Sequence, residues 1–360
     1  MRALPLLLTA ILLTACSGDS SHTSSSSDAA PANTGNETAA SEATAAQTDT
    51  ASGDTGINNR GSEAAGGDNW WDELPRADWA NYKQVKTYNP WFEVYEIQKG
   101  IFAIYEPGQF EEVISWLIVG NRQALLFDTG LGMGDIRAVV KQLTKQPLLV
   151  LNSHSHYDHI GGNYQFDIIM ARNHPFTKER AKGTAPEELA LFASKDWIWK
   201  QHPPSFDANN YQTKPYGFTH WIEEGQFVDL GGVSLEIIYS PGHAPDGIVL
   251  IDHQRRLMFM GDTFYPGPLY AHLEGSDVQA YAASAAKLAA MVDTVDYLLP
   301  SHNVPLADSS FLIKLDEALQ AILLETAPYE TNEEGREYTF EGFGVLTPDP
   351  PVASTDMDLL

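Results

Sequence analysis

Between residues 113 and 324, short apolar runs typical of strands alternate with segments whose apolar positions have helical spacing. The predicted strands are residues 113–119, 124–127, 147–151, 227–230, 233–239, 248–251, 257–260 and 297–299. The predicted helices are residues 136–143, 186–200, 277–291 and 308–324. Hairpins, a helix and a buried strand follow one another twice in this order. We therefore predict an α/β protein in which two sheet-plus-helix halves pack sheet on sheet.

The first residues of the chain have the composition of a targeting segment. Residues 1–15 combine the positive charge of Arg2 with an apolar run too short to span a bilayer, which predicts a signal peptide. Leu13-Thr14-Ala15-Cys16 resembles the bacterial lipoprotein box, in which the cysteine is lipidated; an ordinary secretory signal is the alternative. Because serine rather than aspartate follows Cys16, this resemblance implies a bacterial cell-envelope protein, anchored in the outer membrane and facing the periplasm.

Two further segments lack the large apolar side chains that a core needs. Residues 16–69 are rich in serine, alanine and threonine, and we predict a disordered acidic tether there. Residues 346–360 are similar in character and predict a flexible tail. One folded domain, residues 70–345, lies between them.

Charge and cysteine content restrict the possible partners. The formal charge is −26, from 22 basic and 48 acidic residues, which argues against nucleic acid and an anionic membrane surface as partners. We therefore expect a small-molecule substrate, and membrane contact only through a lipid on Cys16. Because Cys16 is the sole cysteine, an internal disulfide framework and a zinc site built from several thiolates are excluded.

Candidate metal ligands are concentrated directly after the predicted strand at 147–151. The segment from His154 to His159 contains three histidines and an aspartate within six residues. Alternate residues of an extended chain point to the same side, so His154 and His156 can face one metal together. Asp158 and His159 follow where the chain must turn, and they can serve a second metal. A loop whose histidines only form hydrogen bonds is the alternative.

Three more candidate ligands each follow the end of a later predicted strand. His243 lies after the strand ending at residue 239, Asp262 after the one ending at 260, and His302 after the one ending at 299. Each alone is weak, because a single histidine after a strand is more often structural. Side chains at the carboxyl ends of strands converge, however, so their shared placement predicts one common site.

Together these residues resemble the metallo-β-lactamase-fold superfamily. His154-x-His156-x-Asp158-His159 matches the metal motif of that family, and the three single ligands match in order. Asp128-Thr129-Gly130 is similar to its early turn motif, whose aspartate supports the ligands from behind. The resemblance covers residues 95–325 and implies a four-layer αβ/βα sandwich, in agreement with the doubled pattern.

The resemblance also implies a role for each ligand and a reaction. The first cation would be held by His154, His156 and His243, and the second by Asp158, His159 and His302, with Asp262 bridging both. Two divalent cations, preferably zinc with iron or manganese also compatible, would supply a bridging hydroxide that Asp158 helps to orient. We therefore expect a hydrolase that cleaves a lactone, ester, thioester or amide bond of a small molecule in the cell envelope.

Other activities on the same fold remain as alternatives. β-Lactamases of this superfamily have cysteine or serine where Asp262 stands, and a bridging aspartate resembles the lactonase, glyoxalase II and phosphodiesterase branches instead. A mononuclear iron persulfide dioxygenase uses fewer ligands than this chain offers, so the complete second set counts against it. A non-catalytic envelope protein is the third alternative, which retention of all seven candidate ligands disfavours.

Aromatic residues near the motifs are weaker candidates. Tyr265 follows Asp262 by three residues, a spacing that resembles the homoserine-lactone lactonases, in which a tyrosine hydroxyl assists at the substrate oxygen. Packing at a loop hinge is the alternative for Tyr265. Five further aromatic residues are candidates for lining an apolar entrance: Tyr157, Trp197, Trp199, Phe264 and Tyr270. For the two tryptophans, packing in the core or at its edge is the favoured alternative.

Overall fold

The computed structural model of the protein describes residues 70–351. The predicted signal peptide, Cys16 with its lipid, and the tether at residues 16–69 lie outside the described residues. Within residues 70–351, none of the helices has the length and apolarity needed to cross a bilayer.

Eighteen strands and six α-helices make up the described part of the chain. The strands are β1 (Lys83–Val85), β2 (Glu93–Gln98), β3 (Ile101–Tyr105), β4 (Ile114–Val119), β5 (Ala124–Phe127), β6 (Leu148–Leu151), β7 (Ile169–Arg172), β8 (His220–Ile222), β9 (Phe227–Asp229), β10 (Ser234–Tyr239), β11 (Ile248–Asp252), β12 (Leu257–Gly261), β13 (Pro268–Tyr270), β14 (Tyr297–Pro300), β15 (Ala307–Asp308), β16 (Glu330–Asn332), β17 (Gly335–Phe340) and β18 (Phe343–Thr347). The helices are α1 (Ile136–Leu143), α2 (Tyr157–Ile160), α3 (Pro175–Arg180), α4 (Pro186–Leu189), α5 (Val278–Ala289) and α6 (Phe311–Leu323). Short 3-10 helices are Trp70–Glu73, Ala77–Asn81, Asn163–Gln165, Leu191–Ala193, Ala208–Asn210 and Val292–Thr294.

The strands form three sheets. The first has eight strands in the order β1 to β8, antiparallel as far as β5 and parallel from β5 to β8. The second has the order β15-β14-β12-β11-β10-β9, in which β12 and β14 are parallel. A smaller sheet, β13-β18-β17-β16, joins β13 to the C-terminal hairpin.

The apolar side chains divide into three buried clusters that define four layers. Between the first two sheets, Trp116 of β4 meets Phe259 of β12 edge to face, with ring centroids 5.7 Å apart. The outer face of the first sheet packs on α1 through Val139. The outer face of the second packs on α5 and α6 through Tyr281 and Leu315. The order helix, sheet, sheet, helix confirms the predicted αβ/βα sandwich.

Local sequence signals fix some elements and mislead at others. The helix predicted at 136–143 is confirmed as α1, and the Asp135 carboxylate caps it by accepting a hydrogen bond from Ala138 N–H at 2.8 Å. The helix predicted at 186–200 is wrong beyond its first turns, α4 and the following 3-10 helix. There, the Trp197 carbonyl accepts from Phe110 N–H at 2.9 Å, so the backbone pairs with the loop after β3 instead of with itself.

Two predicted boundaries near the C-terminus are also wrong. The helix predicted from residue 308 begins at Phe311 instead; Asp308 lies in β15, and its Oδ1 accepts from the backbone N–H of Ser310, the residue before the helix. The predicted tail does not begin at residue 346, because β18 continues to Thr347 and both Leu346 and Thr347 are buried. The folded part therefore extends beyond residue 345.

The topology brings the carboxyl ends of β6, β10, β12 and β14 to one edge, where the two main sheets meet. A hydrogen bond of 2.7 Å from Ile114 N–H to the Ser301 carbonyl joins the start of β4 to the end of β14. At the end of β12, Gly261 has a φ of +51°, and a Cβ there would stand 2.4 Å from Cβ of Ser153. Glycine is thus required for the two sheets to approach at this edge.

Candidate metal centre

All seven predicted metal ligands lie at this edge, each placed by a different strand end or by the turn after β6. His154 and His156 follow β6, and His156 has an extended backbone and immediately precedes α2. Asp158 and His159 lie in the single turn of α2. The remaining ligands follow β10, β12 and β14; they are His243, Asp262 and His302.

The ligand atoms form two adjacent clusters. The first contains His154, His156 and His243, and the second contains Asp158, His159, Asp262 and His302. Within each cluster the ligand atoms lie within 4.8 Å of one another. The structure therefore brings the sequence-predicted residues together in the division that the resemblance implied.

In the first cluster, three imidazole nitrogens converge. His156 Nδ1 lies 3.0 Å from His154 Nε2 and 2.9 Å from His243 Nε2. His154 and His243 are buried, and His156 is half-buried. An all-imidazole set of this kind suits a borderline cation such as zinc.

Asp262 lies between the two clusters, and its carboxylate reaches nitrogens of both. Its Oδ2 is 3.5 Å from His243 Nε2 and 3.9 Å from His154 Nε2. Its Oδ1 is 3.2 Å from His159 Nε2 and 3.1 Å from His302 Nε2. Its Oδ2 also lies 3.2 Å from His302 Nε2. This is the placement expected of a carboxylate that bridges two cations.

The outer nitrogens of four histidines are bound by protein acceptors, so the other nitrogen of each ring is directed into the site. His243 Nδ1–H donates to the Tyr270 carbonyl at 2.7 Å, and His302 Nδ1–H donates to the Glu111 carbonyl at 2.5 Å. His159 Nδ1 is 2.9 Å from Asp128 Oδ2, and His154 Nδ1 is 3.0 Å from the hydroxyl of Ser153. Such partners fix the ring orientation of metal-binding histidines.

Behind the ligands lies a set of buried polar side chains that we call the polar floor: Asp128, Asn152, Ser153, Asn163 and Ser301. Asp128 is its centre. Besides His159, its carboxylate accepts from the backbone N–H of Ser153 at 2.7 Å and from the hydroxyls of Ser153 and Ser301 at 2.9 and 3.1 Å. The prediction that Asp128 supports the ligands from behind agrees with these contacts.

Burial and charge give the two clusters different protonation preferences. In the first, burial lowers the pKa of His156 to about 3 and holds that of His154 well below its ordinary range. In the second, burial also disfavours the charged form of His302, but the Asp262 carboxylate outweighs it and raises the pKa to about 9. The imidazoles of the first cluster are thus neutral and able to bind a cation directly.

The donor set fits divalent cations. The outer nitrogens of His159 and His302 already have protein acceptors, so in the neutral form of each ring the inward nitrogen carries a lone pair that faces the lone pairs of Asp262. Asp262 Oδ1 is buried and has no hydrogen-bond partner among residues 70–351. Acceptors that face acceptors in a buried site are satisfied by a shared cation or by protons, and buried polar groups without a partner are rare.

Sequence reasoning missed two acidic residues beside the site. Asp246 is buried, and its Oδ2 accepts from the hydroxyl of Ser155, between the first two ligands, and from that of Thr177 at 2.8 Å. Glu111 is half-buried, and its carboxylate accepts from the Tyr157 hydroxyl at 2.7 Å. Burial, with Asp158 nearby, raises the pKa of Glu111. Neither residue belongs to a motif, so the sequence contains no local signal for them.

The aromatic candidates separate into site and core. The Tyr265 ring lies 4.8 Å from that of His302, but its hydroxyl donates to the Pro268 carbonyl at 2.6 Å; its catalytic role stays a prediction. Phe264 is completely buried and stacks on Phe311 of α6, so its predicted place at an entrance is wrong. Trp197 is buried, and Trp199 stacks on Trp71.

Comparison with known proteins agrees with this geometry. The family model described as the metallo-beta-lactamase superfamily matches residues 110–302, more than half of the chain and all seven candidate ligands. Acyl-coenzyme A thioesterase MBLAC2 of Homo sapiens is 29% identical over 230 residues, which cover 59% of this chain and 81% of the relative. Hydroxyacylglutathione hydrolase of Aeromonas hydrophila is 26% identical over 217 residues, covering 59% and 70%.

Among solved structures, the stereoselective inverting sec-alkylsulfatase Pisa1 from Pseudomonas sp. matches with a TM-score of 0.52 and 18% identity. The match covers 64% of this chain but only 42% of the sulfatase, and it shows a shared fold. Motif, fold and family model agree, and the chain therefore belongs to the metallo-beta-lactamase superfamily.

Proposed function

We propose that the protein is a metal-dependent hydrolase that cleaves an acyl bond of a small molecule: an ester, lactone, thioester or amide. The observation that carries the proposal is the position of Asp262, whose carboxylate lies between the two clusters of ligands, 3.1 Å from His302 Nε2 in one and 3.5 Å from His243 Nε2 in the other. The names of the two relatives describe hydrolysis of acyl derivatives, which supports this class of bond.

The residues that would hold two cations are the seven of the two clusters, with zinc preferred for the imidazole-rich set. When bound there, two divalent cations lower the pKa of a water molecule towards neutrality and polarise the carbonyl of the substrate. Asp158, whose Oδ2 is 3.1 Å from His159 Nε2, would bind the second cation and orient that water by a hydrogen bond. The polar floor keeps the inward nitrogens of the ligands free to bind.

Other reactions on the fold are less well supported. A complete second cluster, with two carboxylates, is more than a mononuclear iron site requires. Aspartate rather than cysteine or serine at position 262 disfavours β-lactams as the main substrate.

The proposal also places the protein in the bacterial cell envelope, anchored through Cys16, because residues 13–16 have the sequence of a lipoprotein box.

The test combines metal quantification with a substrate panel on the purified chain. We expect about two cations per chain and turnover of an ester, lactone, thioester or amide. Asp262→Asn should lose at least one cation and lower kcat/KM at least about 100-fold, since bridging carboxylates and their partners control both.

Asp252→Asn is the matched control, because Asp252 is equally an interior aspartate but lies at the other end of the β11–β12 pair, where it binds Arg255. This variant should retain both cations. A chain that binds no cation, or a loaded chain that turns over only a persulfide, would contradict the proposal.

A further inference from the structure

Four aromatic side chains form a continuous row from the candidate metal centre to the surface. We call this row the aromatic lip: Tyr157, Phe192, Trp197 and Phe110. The rings of Tyr157 and Phe192 stack with centroids 4.6 Å apart. Trp197 meets Phe192 edge-on at 5.0 Å, and Phe110 meets Trp197 at 4.4 Å. The row therefore joins residues that lie far apart in the sequence.

The inner end of the lip is fixed to the elements that carry the ligands. Tyr157 stands between His156 and Asp158 at the start of α2. Its hydroxyl donates to the Glu111 carboxylate, and the Glu111 carbonyl accepts from His302 Nδ1. Tyr157 is thus held between ligands supplied by both halves of the fold.

The outer end of the lip opens to solvent. Trp197 is 6% exposed, Phe110 is 37% exposed, and Leu191, next to Phe192 in the chain, is 39% exposed. Exposed apolar side chains close to a set of convergent polar groups are typical of ligand-binding surfaces. If these side chains only formed the edge of the hydrophobic core, their ring contacts would not need to continue without a gap to the turn that carries the metal ligands.

Hydrogen bonds hold together the two segments that carry the lip. Phe110 N–H donates to the Trp197 carbonyl at 2.9 Å, and Gln109 pairs with Ile198 as an isolated antiparallel bridge. The Gln109 amide also donates to the Phe192 carbonyl at 3.4 Å. A surface already fixed in this way loses little entropy on binding a ligand.

We propose that the aromatic lip binds the apolar acyl or aryl group of the substrate, so that the scissile bond lies over the metal ligands. This inference rests on the proposed function and narrows its substrate class to hydrocarbon-bearing acyl compounds. The charge of the protein agrees with it: at −26 overall, and with Glu111 at the root of the lip, an uncharged apolar group is favoured over an anionic one.

The first test is a series of 4-nitrophenyl esters from acetate to octanoate, hydrolysed by the metal-loaded full chain. In the wild type we expect kcat/KM to rise about threefold per methylene, near the value for burial of a methylene group. Phe192→Ala and Phe110→Ser should flatten this dependence. Phe227→Ala should preserve it, because Phe227 is 54% exposed on β9, outside the lip.

A second test does not need turnover. Calorimetric titration of the metal-loaded chain should give tighter binding of decanoate than of acetate, at least about tenfold, and Phe110→Ser should remove most of that difference. If decanoate shows this preference while no ester, lactone, thioester or amide of the substrate panel is cleaved, the lip is supported and the proposed function fails. If esters are cleaved with equal slopes in wild type and lip variants, the lip proposal is overturned and the hydrolase proposal survives. Phe110→Ser replaces a side chain at the surface, so it keeps the test valid if Phe192→Ala does not fold.

Discussion

The polar floor and the aromatic lip both adjoin the candidate metal ligands, but they consist of opposite kinds of side chain. Four of the five residues of the polar floor, all except Asn152, are no more than 1% exposed. Its acceptors are shared among several donors: Asp128 alone receives two hydroxyls, a backbone N–H and an imidazole N–H. The lip, in contrast, grades from 6% exposed at Trp197 to 37% at Phe110.

The difference indicates a division of labour. Hydrogen bonds have narrow geometry, and a buried one that loses its partner carries the full penalty of desolvation, so the floor tolerates little change. Ring-on-ring contacts are less directional, and a surface side chain can change without leaving an unpaired polar group. We therefore expect substitutions in the floor to affect folding and metal binding, and those in the lip to affect substrate preference.

The largest effect is expected for Asp128→Ala. This change leaves the Ser153 N–H, two serine hydroxyls and the His159 Nδ1–H without their acceptor. We expect the free energy of unfolding to fall by about 3–5 kcal/mol and metal affinity to fall about 10–100-fold. Urea unfolding of the apo chain and competition with a metal chelator measure the two effects.

Asp128→Asn is the conservative partner of that variant. It keeps an acceptor for the Ser153 N–H, and asparagine, like aspartate, tolerates the φ of +67° at this position. The NH2 group of the asparagine, at the position of Oδ2, cannot accept a hydrogen bond from His159. The affinity for the cation should therefore fall by a larger factor than the free energy of unfolding. Equal, small losses in both variants would mean that Asp128 does not organise the site.

A second buried carboxylate, that of Glu106, is expected to make the stability of the protein depend on pH. Glu106 accepts only from uncharged donors, the Trp91 indole and the Leu131 N–H, and burial raises its pKa to about 7 from the ordinary 4.5. The folded protein then holds a proton that the unfolded chain releases. Stability from this group is full below pH 4.5 and is lost as the pH rises through 7.

Glu106→Gln isolates that contribution, because the amide does not titrate. From pH 5 to pH 8, the free energy of unfolding of the wild type minus that of the variant should fall by about 2–3 kcal/mol. Other titrating groups cancel in this difference. A difference that stays constant over the range would show that Glu106 keeps an ordinary pKa in the folded protein.

The sequence predicted well those features that depend on residues close together in the chain. The bounds of α1 follow from its apolar spacing and from Asp135, and the ligands meet because they follow strand ends that share one edge. The metal motif is local, with His154 to His159 in a single turn after β6. Such features need no knowledge of distant contacts.

Features that depend on distant contacts were missed or misread. Ser155 and Asp246 are 91 residues apart, and no pattern in either segment predicts their hydrogen bond. The helix predicted at 186–200 fails for the same reason, because Trp197 and Ile198 pair with the loop that contains Gln109 and Phe110. The aromatic lip therefore appears only in the folded chain.

The smallest expected effect is the change in stability caused by Phe110→Ser. This variant tests the contrast between the polar floor and the aromatic lip most directly. The side chain is already 37% exposed, so the free energy of unfolding should fall by only about 1 kcal/mol, and the metal content should stay at the wild-type value. Phe127→Ser is the matched comparison in the same half of the fold: Phe127 is fully buried beside Phe259, and its loss should be destabilising by about 3–5 kcal/mol. Thermal and urea unfolding of the two variants, with metal quantification, make the comparison. If Phe110→Ser lost as much stability as Phe127→Ser, or released a cation, the lip would be part of the structural support of the site, and the separation between the two regions would not hold.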